Sequence, residues 1–443
     1  MVNASARENM PDFPLTTSFW FEPDIEVALP LAGTQYADVA IVGGGFAGLS
    51  AACHLKSRQP ELSVALVEAE HIGYGASGRN AGWVMSLPPL YWLLDNLQDR
   101  QRLADIQWVS QYCRDNIAEV GQLVRREAID CDWTPSQHVL TARNPIEAAT
   151  LRWVAPRFEA IGQNCEFLDK GKLKQVVSYP LTAAMAYEIV TIQPYRLARG
   201  LRRHCLNQGV QIYENTRVTQ IRHAPQEVRL ATAAGATLTA GKVILATNAY
   251  LGSVETDVEL PAASRHHTYM LATAPLDPDM IDRISSLRKP FGDASLAFYI
   301  GRIHQNRLIF NGIDRASRAT SEDDRHLPSF RKLYGEMIRR FPLLAALPLA
   351  GAWGGAVQQT STDAPIIRSA KNAPNVILNI GYGGGSGVGM ALLSGRLTVD
   401  LVLENAPIDR DVQRLRTLLA NSRFPRMGPV RAAAGVLKHL LFG

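Results

Sequence analysis

Cysteine is scarce in this 443-residue chain, and its few cysteines carry no motif. The five, Cys53, Cys113, Cys131, Cys165 and Cys205, form no Cys-x-x-Cys pair, which argues against a metal knuckle or a dithiol site. Their odd number and spread fit reduced thiols in a cytoplasmic protein, and no metal is expected. No apolar run approaches the ~20 residues that a membrane span needs. Residues 1–30 lack the basic patch followed by an apolar core that marks a secretory signal. A large excess of one charge is missing too: 46 basic against 41 acidic residues leave +5, too little and too dispersed for a nucleic-acid partner. Low-complexity segments and internal repeats are absent. The composition, 47% hydrophobic and 20% charged, is that of a globular protein long enough for two intertwined domains.

Glycine placement is the informative part. The apolar run Val39-Ala40-Ile41-Val42 enters Gly43-Gly44-Gly45-Phe46-Ala47-Gly48. An alanine-rich helical run follows from Leu49 to Lys56, then a second apolar run, Val64 to Val67, ending on Glu68 and Ala69. Strand, glycine turn, helix, strand and acid in this order are the dinucleotide-binding unit. Gly43 permits the tight turn, Gly45 lets backbone approach a pyrophosphate, and Gly48 lets the helix sit close on the sheet. The helix N-terminus offers free N–H groups and partial positive charge to phosphate. Glu68, 20 residues past Gly48, stands where a carboxylate accepts hydrogen bonds from a ribose hydroxyl.

Further elements follow from periodicity. Residues 1–37 read as an irregular arm. Leu90 to Glu127 is helical, with Leu103, Ile106, Val109, Ile117, Val120 and Val124 on one stripe. Ile146–Ile161 and Pro194–Gln208 are two more helices. Val210–Ile221, Val228–Leu230 and Lys242–Ala246 read as strands, as do Thr268–Ala272, Ser295–Ile300 and Arg307–Gly312. Leu327–Phe341 and Met390–Leu403 are helical, and Asn375–Ile380 is a buried strand. Dinucleotide-fold elements thus fall in blocks 38–90, 190–262 and 350–404. Blocks 91–189 and 263–349 are left for a second domain, and 405–443 for a tail.

These segments together carry a resemblance: "ADVAIVGGGFAGLSAA", "GASGRNAGW", "IQPYRLARGL", "VILATNAY", "YMLATAPL", "NRLIFNG" and "TDAPIIRSAKNAPNVILNIGYGGGSGVGMA". From about residue 16 to 430 the chain resembles the FAD-dependent D-amino-acid-oxidase-type superfamily, most closely its γ-glutamylputrescine and glycine–sarcosine oxidase branch. The resemblance implies an α/β, two-domain fold. A Rossmann-like FAD-binding domain of discontinuous segments would carry an inserted substrate domain of antiparallel sheet and helices. It implies an oxidoreductase that oxidises the C–N bond of a small amine or amino acid to an imine by hydride transfer to flavin. The alternative is a dehydrogenase of the same fold with an acceptor other than oxygen, or a non-catalytic FAD-binding subunit.

Carried onto this sequence, the FAD contacts are Gly43, Gly45, Phe46, Ala47, Gly48, Glu68 and Ala69. The loop Gly75, Ala76, Ser77, Arg79, Asn80, Ala81 and Gly82 would lay N–H donors and charge along the cofactor. Val218, Ala246, Thr247 and Asn248 either contact the ADP half or are core and turn. The closing loop Gly381, Gly383, Gly384, Gly385, Ser386 and Gly387 would face the pyrimidine edge of the flavin. Relatives often place histidine where this chain has Tyr382. Gly355-Ala356-Val357 is followed by Gln358 where some relatives have the cysteine that tethers FAD, so the cofactor is expected to be noncovalent. Arg302 is either a bidentate anchor for a substrate carboxylate or a charge at a hairpin edge. Tyr269 and Tyr382 either wall the pocket or fill the core. The lysine that promotes reaction with oxygen in some relatives is replaced by apolar Leu308, Ile309 and Phe310. The tail Val430–Gly443 is expected to pack on the body rather than lie on a membrane surface.

Overall fold

A computed structural model describes residues 11–23, 25–97, 99–168, 170–294, 299–316, 321–360, 363–403 and 409–420. The tail expectation for Val430–Gly443 lies outside the described residues, as do Ser295–Phe298 of one expected strand.

Among the described residues the strands form two sheets. The first is centred on parallel strands Thr34–Val42, Val64–Val67 and Thr237–Leu245. Their apolar runs are buried on both faces, as a central parallel strand requires. Gln211–Tyr213 extends it at one side. At the other, Thr237–Leu245 divides its partners. Thr237–Ala240 pair antiparallel with Val228–Thr232, while Val243–Leu245 pair parallel with Val376–Ile380. The first strand begins at Thr34, so Thr34–Ala37 extend the sheet rather than belong to the arm.

The second sheet runs in the order Leu349–Gln359, Ser264–Thr273, Arg307–Ala316, Ile300–His304, Phe291–Asp293, Thr134–Ala142, Ala183–Thr191 and Trp83–Val84. Leu349–Gln359 pairs with Ser264–Thr273 along its length, so the third cofactor-sheet block starts at the strand Ile366–Ser369, not at 350. Trp83–Val84 likewise leaves the first block to pair with Ala183–Thr191.

Two expectations break for visible reasons. The helix Leu90–Glu127 is split into Leu90–Asn96 and Leu103–Arg126. Between them the Asn96 amide donates to the Trp92 carbonyl at 2.6 Å and the Asp99 carboxylate accepts from Gln101 N–H at 2.9 Å, replacing the helical ladder. The strand Val210–Ile221 is interrupted because Glu214 turns inward. Its carboxylate accepts from the N–H of Ala28 and of Ile72 and pairs with Arg199 and Arg202. A fully buried carboxylate needs that many donors.

The helices Phe46–Arg58 and Gly387–Val402 pack together on one face of the first sheet. Gly395 makes this possible, since a Cβ there would sit 2.2 Å from the Ser50 backbone.

Candidate active site

A cavity of about 440 Å³ opens at the C-terminal ends of the parallel strands and runs on to the second sheet. Ligands of open α/β sheets bind at such strand ends. Gly43, Gly45, Phe46, Ala47, Glu68, Ala69, Gly75, Ala76, Ser77, Asn80 and Ala81 line it, with Val218, Ala246, Thr247, Asn248, Tyr382, Gly384, Gly385 and Gly387.

The cradle is shaped by backbone that excludes side chains. Gly43 has φ +112, and a Cβ there would lie 2.7 Å from the Ala246 carbonyl oxygen. Gly48 does not reach the cavity. A Cβ on it would meet the Gly43 carbonyl oxygen at 2.0 Å, so it seats the helix against the turn. At the helix N-terminus the Ser77 hydroxyl accepts from Phe46 N–H at 2.9 Å. Glu68 accepts from the N–H of Gly44 at 2.7 Å and of Glu70 at 3.1 Å. Burial raises its pKa, against the pull of those two donors. One carboxylate oxygen therefore ties the turn while the side chain faces the cavity.

The loop Gly75–Gly82 is held from outside. Four of its carbonyls accept from buried side chains of other segments: Gly78 from the Ser18 hydroxyl, Arg79 from the Trp353 indole, Asn80 from the Trp20 indole and Gly82 from Arg302. The Asn80 side chain closes the inner turn, donating to Ala76 and Ser77 and accepting from Gly82 N–H. Arg79, expected near phosphate or ring, does not line the cavity. Its guanidinium pairs with Asp324 at 2.9 Å and donates to the Tyr74 and Gly354 carbonyls.

At the far end Asn248, with φ +46, accepts from Gly381 N–H at 3.0 Å and from Tyr382 N–H at 3.2 Å. Gly381, Gly383 and Ser386 lie behind the surface. Gly381 turns the chain at φ +96, Gly383 N–H donates to Gln358, and Ser386 precedes the helix Gly387–Val402. Tyr382 lines the cavity with its hydroxyl turned inward to Asn379. Burial raises the pKa of that phenol.

Two further candidate residues of the second sheet lie away from the cavity. Arg302 does not line the large cavity. It follows Ile300 on the same face of its strand but lies past the cavity edge. Its two terminal nitrogens donate at 2.8 Å to the Gly82 and Ile192 carbonyls, and its guanidinium stacks on Trp20 at 5.1 Å. Burial pulls its pKa down to about 9, which leaves it cationic at neutral pH. Both terminal nitrogens are spent on backbone, one of them also facing His304 Nδ1 at 3.3 Å, while the buried Nε has no partner among the described residues. Tyr269 is fully buried with its hydroxyl donating to the Asp323 carbonyl at 2.9 Å. Its neighbours Thr268 and Met270 face the cavity instead.

Several residues escaped the sequence reading. Arg217, next to the anticipated Val218, lines the cofactor end and pairs with Glu70 at 2.5 Å. The second-sheet wall consists of Trp83, Met85, Thr268, Met270, Ile300, Asn311, Ile313 and Gln359. Ile313 sits where the register between the strands Ser264–Thr273 and Arg307–Ala316 shifts, at φ +59. That conformation is strained for a β-branched residue.

The model for FAD dependent oxidoreductases named DAO matches residues 38–401. The chain belongs to this family. As a DAO-family enzyme it is FAD-dependent, and the glycine cradle, the half-buried acid Glu68 and the long cavity fit that cofactor. Gamma-glutamylputrescine oxidoreductase of Escherichia coli K12 is 30% identical over 377 residues, spanning 83% of this chain and 84% of that protein. A probable oxidoreductase OrdL of Haemophilus influenzae is 27% identical over 389 residues, 84% of each chain. Among solved structures, glycine oxidase from Geobacillus kaustophilus superposes with a TM-score of 0.66 at 22% identity, covering 84% of this chain and 96% of its own. L-amino acid deaminase from Proteus vulgaris gives 0.67 at 16% identity, covering 90% and 100%. These two establish the DAO fold. Among the described residues, no helix is long and apolar enough to cross a membrane.

Proposed function

We propose that this enzyme oxidises the C–N bond of a small amine to an imine, with FAD held noncovalently, and that the reacting carbon carries no carboxylate. The carrying observation is the second-sheet wall. Its polar groups are the neutral Thr268, Asn311 and Gln359, with Tyr382 opposite, and no cationic side chain of that sheet lines the cavity among the described residues. A carboxylate brought there would lose water without gaining a cation, which is costly. Arg302 is engaged by backbone. The names of the relatives, which include a gamma-glutamylputrescine oxidoreductase and a sarcosine oxidase subunit, support the amine class.

FAD, when bound, supplies the two-electron acceptor for the C–H bond beside nitrogen. The chain's task is to bind, dry and aim the substrate. Trp83, Met85, Ile300 and Ile313 exclude water, which favours the neutral amine over the ammonium. The amide nitrogens of Asn311 and Gln359 donate to the Tyr269 carbonyl and to Asp363, which leaves their oxygens to accept from the amine and orient it. The N-terminus of Gly387–Val402 brings positive helix dipole to the cavity, where it would stabilise developing negative charge. Gln358 after Val357, and a lining without cysteine or histidine among the described residues, support noncovalent FAD. A second reading concerns the electron acceptor. Where the strand Arg307–Ala316 meets the cavity it presents Asn311 and Ile313 and no ammonium, which favours an acceptor other than oxygen.

Anaerobic addition of amines to the yellow protein tests the proposal. Bleaching of the flavin absorbance is expected. Bleaching by dithionite but by no amine or amino acid would contradict catalysis and favour a non-catalytic FAD-binding role.

A further inference from the structure

Cys53 and Cys205 are separated by 152 positions, yet their sulfurs lie 3.0 Å apart. Cys53 is on the helix Phe46–Arg58, whose N-terminus belongs to the glycine cradle. Cys205 is on Pro194–Asn207, which packs against it. A disulfide needs about 2.05 Å, so the sulfurs have about 1 Å to close. Their exposures differ. Cys53 is partly exposed, whereas Cys205 is fully buried, with its thiol also directed at the Leu49 carbonyl at 3.6 Å.

We propose that Cys53 and Cys205 form a peroxide-sensitive thiol pair that closes to an intramolecular disulfide. The thiolate of Cys53 attacks the peroxide O–O bond, giving a sulfenic acid and releasing one water after proton uptake. The Cys205 sulfur then attacks the Cys53 sulfur, the S–S bond forms, and the second oxygen leaves as water with the Cys205 proton. Two thiols lose two electrons in total, and one hydrogen peroxide becomes two waters. The asymmetric exposure assigns the order, because only Cys53 can meet an oxidant from solvent. The hydrogen bond to Cys53 and burial raise the Cys205 pKa, which disfavours Cys205 as the thiol that meets the peroxide first. The bond would tie the helix that carries the cradle to the helix Pro194–Asn207, closing a long loop in the chain.

The test treats the FAD-loaded protein with a small excess of hydrogen peroxide, then counts alkylatable thiols after denaturation and maps peptides by mass. Five thiols are present, and loss of the pair leaves 5 − 2 = 3. A linked peptide pair containing Cys53 and Cys205, two hydrogens lighter than the separate peptides, is expected, and dithiothreitol should reverse it. Oxidation should raise Tm by about 5 °C. Cys53→Ser should abolish both the link and the shift. Cys205→Ala should leave Cys53 as a sulfenic acid trapped by dimedone; if that variant fails to fold, the mass map of the unsubstituted protein decides alone. Oxidised Cys53 with no bond to Cys205 in the unsubstituted protein would overturn the proposal, as would five thiols surviving the peroxide.

Discussion

The two walls of the cavity were built from sequence in different ways. On the parallel-sheet side, most residues that shape the cradle come in two short runs, Gly43 to Ala47 and Val67 to Asn80, separated by one helix and one strand. On the antiparallel-sheet side, the wall is assembled from separate strands, from Trp83 through Thr268, Ile300 and Asn311 to Gln359. The first wall is a local backbone device: a turn at φ +112 and a helix seated by Gly48 over the Gly43 carbonyl. The second depends on which face each strand presents and where each strand ends. The glycine turn is made by short-range spacing, whereas the second wall, and the loop Gly75–Gly82 that completes the first, depend on distant anchors. Arg302 is such an anchor, joining the second sheet to the loop that lines the first wall.

The sharpest break of the cradle is Gly45→Val. Its Cβ would lie 2.9 Å from the Ser77 hydroxyl oxygen and its methyls would fill the phosphate path, so colourless protein is expected. A loss of about 3 kcal/mol, or roughly 150-fold in the dissociation constant of FAD, is the minimum. Full FAD occupancy would show that the cradle is misplaced.

Arg302→Ala tests the other wall. It leaves the Ile192 carbonyl without its Arg302 donor and the Gly82 carbonyl with only the Ile192 N–H, and a stability loss of about 2 kcal/mol is expected by denaturant titration. The amine concentration for half-maximal flavin reduction should change less than about fivefold, since the guanidinium lies outside the cavity. A large rise in that concentration with stability intact would restore Arg302 as a substrate anchor.

His138 lies behind Trp83, with ring centroids 4.5 Å apart, and is fully buried. Burial lowers its pKa from 6.5 to about 3. The unfolded chain therefore binds a proton that the folded chain refuses between those values. The stabilisation is complete above pH 6.5 and is lost as pH falls toward 3, amounting to about 2 kcal/mol by pH 5. His138→Gln should flatten that part of the stability curve, and an unchanged slope would remove His138 from the account.

Smaller effects complete the comparison. Glu68→Gln should weaken FAD by about fivefold to tenfold, as a charge-assisted bond becomes a neutral one. Tyr269→Phe should cost about 1 kcal/mol of stability, through loss of the bond to the Asp323 carbonyl, and leave flavin reduction unaltered.

Legibility in the sequence divides along the same line. The unit from Val39 to Glu68 could be read because the spacing of glycine, apolar and acidic residues is itself the device. The strand Thr268–Ala272 could also be read, but not its phase. Alternation says that Tyr269 and Met270 face opposite ways, not which of them meets the cavity. Arg302 shares the face of Ile300, but only the pairing of Trp83–Val84 and the position of Gly82 put it past the cavity edge. Arg79 was misread because its partner Asp324 is 245 positions away. Cys53 and Cys205 were read as scattered for the same reason, since helix packing brings them together.

The central claim is that the substrate wall is neutral and receives an amine whose reacting carbon bears no carboxylate. Its most direct test is an anaerobic titration of the FAD-loaded protein with matched pairs of amines, each compared with the analogue carrying a carboxylate on the reacting carbon. The account predicts flavin bleaching by the carboxylate-free member at concentrations at least about tenfold lower, a preference of roughly 1.4 kcal/mol. Bleaching by the amino acids at equal or lower concentration would contradict it.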